Sequence, residues 1–156
     1  MSEDRAKELV RTWYKDKAKD ETEPYFKLLC LWICFNAWLS FISSEDSDRG
    51  MLKKFLANQV NLELKSAYEN MSKTATGKQA LKDFVTMSPI KDSRDIKPVV
   101  VIRSENDKDN IIWGIYRVRC NLFHGGKTLN DPRDRKLVAC VNRILDKWMS
   151  ELIALW

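Results

Sequence analysis

The sequence predicts an all-α fold: a single-domain helical bundle over residues 1–156, with at most a short irregular or hairpin insertion around 88–106. Three observations lead there. Five glycines and four prolines in 156 residues leave few tight turns, which suits long helices better than a many-stranded sandwich. Apolar residues recur at spacings of three and four along most of the chain. Helix start and stop signals fall at the ends of those periodic stretches.

Ser2-Glu3-Asp4 supplies an N-cap and early acidic residues for a first helix running to about Lys19, with Leu9, Val10, Trp13 and Tyr14 on one face. Thr22-Glu23-Pro24 resets the chain, with Thr22 as the expected cap and Pro24 in the first turn of a second helix that runs to about Ser43. Apolar residues cover most of that helix's circumference, which places it at the centre of the bundle. Ser44 to Gly50 reads as a loop. Met51 to Ala57, Leu62 to Met71 and Gly77 to Val85 read as three shorter helices. From Ser88 to Asn106 helical periodicity is lost, and the β propensity of Pro98 to Ile102 makes at most an edge hairpin. Asp107 to His124 is a long helix stopped by Gly125-Gly126. Asp131-Pro132 opens the last, which runs to about Leu155 with Leu137, Val141, Ile144, Leu145, Trp148 and Leu152 on one side.

The net charge of +5 permits contact with a polyanion. Most cations are interspersed with carboxylates and read as a solvated surface. The window from Arg117 to Lys127 differs, since it holds Arg117, Arg119 and Lys127 and no carboxylate. Cys30, Cys34, Cys120 and Cys140 are expected to be reduced thiols of a cytoplasmic protein, because the sequence opens without a secretory signal. With one histidine and no close cysteine pair, no metal site and no cofactor are expected, and Thr76-Gly77-Lys78 lacks the leading glycine of a phosphate loop. The richest apolar run, Phe26 to Ile42, is interrupted by Lys27, Asn36 and Ser40, so no membrane association is expected.

His124, the only imidazole, lies inside the carboxylate-free window. An imidazole takes and returns a proton near neutral pH, and arginine forks bind phosphate oxygens. On a helical wheel Ile111, Ile115, Val118 and Leu122 form the apolar stripe. Arg117, Asn121 and His124 form another, since seven residues come within about 20° of two whole turns, whereas Arg119 stands roughly 140° from His124. The wheel therefore favours Arg117 as the neighbour of His124. Asn121 is placed to orient a hydroxyl or a phosphate oxygen. The same residues also allow a plainer reading, a helix-capping histidine beside solvated arginines.

Tyr116-Arg117-Val118-Arg119-Cys120-Asn121-Leu122-Phe123-His124-Gly125-Gly126-Lys127 resembles the signature of the HEPN superfamily, all-α domains with an Arg, four to six residues, then His near the end of the penultimate long helix. Leu31 to Trp38, with its Phe35-Asn36 pair, resembles the core second helix of prokaryotic members. The resemblance implies a metal-independent endoribonuclease, a toxin or antiphage-defence effector whose Arg/His pairs converge at a homodimer cleft to cleave RNA by 2′-OH attack. It makes Arg119 the motif arginine and His124 the motif histidine. Asn121 joins them as a catalytic candidate from its place on the helix, and Arg117 and Lys127 are expected to bind substrate. Arg117, which satisfies the looser spacing and is preferred by the wheel, stays open as the catalytic arginine. Members carry Asn or Asp directly after the arginine. Here Cys120 stands in that place and Asn121 follows one position later. Other members are non-catalytic modules that bind RNA, a nucleotide or a protein, and some toxins of this kind are restrained by a nucleotidyltransferase-type antitoxin, for which Tyr116 is the nearby tyrosine.

Overall fold

The computed structural model describes residues 1–57, 62–125 and 130–156, and among them the chain is all-α, with seven α-helices and no strand. They are α1 (Glu3–Trp13), α2 (Pro24–Ile42), α3 (Asp48–Leu56), α4 (Leu62–Lys73), α5 (Ala75–Thr86), α6 (Lys108–Phe123) and α7 (Pro132–Ala154). Side chains of Ser2, Glu23, Ser47, Thr74 and Asp131 accept hydrogen bonds from first-turn amides of five of these helices, satisfying donors that a helix start otherwise leaves free. The expected cap Thr22 thus yields to Glu23, whose Oε2 accepts from the amide of Phe26 at 2.6 Å. The loop expected over Ser44 to Gly50 is shorter, because Ser47 accepts from Gly50 and starts α3 at Asp48.

The first helix does not continue uniformly to Lys19. Tyr14–Ala18 forms a π-helical turn in which Lys19 N donates to Tyr14 O at 2.8 Å, the wider ring that accommodates one extra residue. In this turn Tyr14 donates its hydroxyl to Asp146 of α7 at 2.6 Å.

α2 is apolar all round and is buried from Tyr25 to Leu39 along most of its length. By length and composition alone this 19-residue helix of mean hydropathy 1.6 is apolar enough to cross a bilayer. Here it packs on α1 and α7 instead. α7 lies against α2, α4 and α5 together. Trp148 of α7 is the hub: its ring meets Phe35 and Tyr68 at centroid distances of 5.0 Å each and Phe55 at 6.1 Å. Its indole N–H donates to Leu64 O at 2.9 Å, so a large side chain is buried without an orphaned donor.

The 88–106 insertion is irregular and closes as one antiparallel bridge. Ile90 N donates to Val100 O at 2.8 Å, and Val100 N to Ile90 O at 2.9 Å. Arg133 of α7 donates to Met87 O at 2.8 Å and Pro89 O at 3.2 Å, fixing the segment beside the start of α7. The insertion therefore lies where α6 and α7 come together, next to the end of α6 that carries His124.

Candidate functional site

α6 ends where the glycines predict. His124 takes the C-cap place, its backbone N–H donating to Cys120 O at 3.0 Å, and Gly125 follows with φ +69° in open space. A left-handed residue at that position strongly favours glycine. The cap leaves the His124 side chain exposed, beside Phe123, a phenylalanine that is 41% exposed.

Arg119 occupies a very different place. Its Nη2 pairs with Asp48 Oδ2 at 2.7 Å, and its Cζ lies 4.2 Å from the Phe123 ring centroid, 5.4 Å from Trp32 and 6.0 Å from Tyr116. Three aromatic faces within about 6 Å of a guanidinium form a cation–π cage. Asp48 also accepts from the Trp32 indole N–H at 3.3 Å, so one carboxylate holds both the wall and the occupant of the cage. Arg119 Nε is buried and has no hydrogen-bond partner among the described residues, an unspent donor of the kind that calls for a functional account. Burial, and then a hydrogen bond with Cys120, push the Tyr116 phenol up to about 12, so this ring stays neutral and its hydroxyl is occupied.

Arg117 lies on the stripe that the wheel shares with His124, but Nη1 donates to Pro98 O at 2.8 Å. It ties α6 to the insertion. The Asn121 amide, expected to orient a hydroxyl or a phosphate oxygen, meets the insertion in this structure. It is buried, with Oδ1 accepting from Ser93 N at 2.9 Å and Nδ2 donating to Lys91 O at 2.8 Å. Both ends of the amide are consumed by backbone groups of the insertion, which folds over a polar position that the wheel alone leaves at the surface. Lys127 lies outside the described residues.

The structure thus brings Arg119 and Phe123 into stacking contact, leaves the His124 side chain exposed, and turns Arg117 and Asn121 toward the insertion. Sequence reasoning missed Asp48. The pair Ser47-Asp48 is legible as a helix start, yet nothing local says that the carboxylate reaches Arg119. Asp92 was missed too: amides of Arg94 and Lys97 donate to it at 3.1 and 2.9 Å. The Arg94 amide foremost, then that of Lys97 and the charges of Arg94 and Arg117, hold its carboxyl below the usual carboxylate range. Among the described residues no three His, Cys, Asp or Glu side chains come together as a metal-binding group.

An exposed imidazole can move a proton, and a guanidinium can neutralise charge on a phosphate oxygen. No family model matches this chain, and neither a curated protein nor a solved structure does.

Proposed function

We propose that the protein is a metal-independent endoribonuclease of HEPN type, a toxin or antiphage-defence effector acting in the cytoplasm as a homodimer. The observation that carries the reading is the exposed His124 at the end of α6, with a caged Arg119 on the same helix whose Nε has no partner among the described residues. In this chemistry an imidazole takes the proton of a ribose 2′-OH, which attacks the adjacent phosphorus. The new bond joins O2′ to phosphorus and the P–O5′ bond breaks. A protonated imidazole returns a proton to the departing 5′ oxygen, leaving a 2′,3′-cyclic phosphate and a 5′-OH. Two copies of His124 across a two-fold axis supply the base and the acid at once, and Arg119 stabilises charge on the non-bridging oxygens. Exposed Phe123 gives the end of α6 an apolar contact for that pairing.

A second reading has its own support. Asp48 pairs with Nη2 of Arg119 at 2.7 Å, which suits a non-catalytic module that binds RNA, a nucleotide or a protein partner, among them an antitoxin of nucleotidyltransferase type. Cleavage of RNA by wild type and His124→Ala side by side, with end-group analysis, separates the two. The nuclease reading expects cleavage that persists in EDTA, leaves cyclic phosphate ends and disappears in His124→Ala and Arg119→Ala. Full activity in a clean His124→Ala preparation removes it. Binding without cleavage, unchanged in His124→Gln, supports the module.

A further inference from the structure

Beside the Arg119 cage, and sharing Tyr116 with it, lies a cleft of about 280 Å³ between the start of α3, the outer face of α6 and the Pro98–Val101 strip. Its walls combine two chemistries. Trp113 and Tyr116 offer aromatic rings, their centroids 5.9 Å apart and planes inclined at 69°. Arg49, Lys97 and Arg117 supply three cations, and among the described residues no carboxylate lines the cleft. The cations reach it from three elements. Arg49 comes from α3, with Cζ 5.9 Å from the Trp113 ring, Arg117 from α6, and Lys97 from the insertion. Arg117 is pinned at the rim by its bond to Pro98 O, and the Lys97 side chain is exposed at a residue whose amide is tied to Asp92. The volume falls just below the roughly 300–1,000 Å³ of pockets that enclose a drug-sized ligand, which sizes it for one base and its sugar.

Aromatic faces beside a cluster of cations, with nothing anionic between them, are the elements with which proteins hold single-stranded nucleic acid. Bases stack on rings and the backbone tracks the positive charge. Bases paired in a duplex cannot enter such a cleft, because A-form RNA keeps their faces stacked inside the helix. We propose that this cleft takes one unstacked base of a single-stranded RNA against Trp113 and Tyr116, with the flanking phosphates on Arg49, Lys97 and Arg117. The inference rests on the ribonuclease reading for the identity of the strand and adds to it that the substrate is unpaired next to the scissile phosphate.

The test is equilibrium binding of a fluorescein-labelled short single-stranded RNA, and of the same sequence annealed into a duplex, over a series of salt concentrations. It uses the full chain carrying His124→Ala, so that no cleavage interferes. Trp113→Leu keeps an apolar side chain where Trp113 packs against the core but removes the stacking face. It should weaken single-strand binding about 5- to 150-fold and leave the salt dependence alone. Lys97→Ala alters an exposed side chain and should lower the slope of log K against log salt by about 0.7, the share of one phosphate on a single strand. That variant decides the matter by itself if Trp113→Leu fails to fold by circular dichroism. Duplex bound as tightly as single strand, a Trp113→Leu affinity equal to its parent's, or an unchanged slope in Lys97→Ala overturns the proposal. The two readings fail separately. Wild-type protein that does not cleave but binds through the cleft removes the nuclease, and cleavage that survives with binding unaltered in both variants removes the cleft.

Discussion

Replacing Asn121 by alanine separates a substrate-orienting amide from one that holds the insertion. In the fold, the side chain accepts from Ser93 N and donates to Lys91 O from a buried position. Each such bond contributes a net ~0.5–1.5 kcal/mol, and more where the partners stay buried. Lys91 and Ser93 are exposed residues, so water replaces part of what is lost, and the sum comes to about 2 kcal/mol. For a chain of this length that lowers Tm by roughly 4–8 °C. Asn121→Asp keeps an acceptor for Ser93 N but sets a carboxylate oxygen against Lys91 O in a buried place, so it should destabilise at least as much as alanine. Thermal denaturation followed by circular dichroism gives the Tm, and hydrogen exchange at the Ser93 amide reports the local release. An Asn121→Ala protein that melts with wild type, keeps Ser93 protected and yet loses RNA cleavage would refute this reasoning and return Asn121 to the substrate.

Other perturbations have equally definite outcomes. A Cβ at Gly77 would stand 1.9 Å from the backbone carbonyl oxygen of Met71, so Gly77→Ala should cost about 3 kcal/mol in urea denaturation, whereas Gly125→Ala meets open space at φ +69° and should cost only about 1–2 kcal/mol; equal losses would contradict both assignments. Asp48→Asn removes the charge paired with Arg119 at a site where each side chain is 19% exposed, so stability should fall by about 1–3 kcal/mol while RNA affinity rises, and weaker RNA binding would show that Asp48 presents the arginine instead of competing for it. Asp92 is held below the ordinary carboxylate range, chiefly by the Arg94 amide. The stability it contributes is therefore present above about pH 3.9 and lost as pH falls through its lower folded value. Arg94 and Lys97 amide protection should be weaker in Asp92→Asn at neutral pH and converge with wild type in strong acid, and a gap that widens with acidity would reverse the sign. Burial pushes the Cys34 thiol up to about 12, so alkylation followed by mass spectrometry should label half-buried Cys120 in the native protein and Cys34 only after unfolding.

The bundle was largely legible because its signals are local. Capping residues precede helices, α2 is apolar all round, and the double glycine stops α6 at His124. The π-helical turn at Tyr14 was not legible, since the extra residue is fixed by the contact of Tyr14 with Asp146 across the bundle. Trp156 carries little meaning at the end of a sequence, yet its ring lies 4.8 Å from that of Trp38 and its N–H donates to Glu63. At the candidate site, the wheel placed Asn121 on a polar stripe correctly. It could not show that a loop would cover that stripe, because the partners are backbone groups and carry no side-chain signature. Where the two arginines point is set by tertiary packing, Arg119 going to Asp48 and Arg117 to Pro98 O.

Asp48 belongs to the first turn of α3, while Arg119 belongs to α6. An anion that draws the guanidinium away from that carboxylate weakens the seat of α3 against its neighbours. By thermodynamic reciprocity, anything that tightens that seat lowers the affinity of Arg119 for the anion by the same factor. One ion pair thereby makes helix docking and anion capture two readouts of a single equilibrium, so that the position of α3 reports how much of the arginine's charge is on offer.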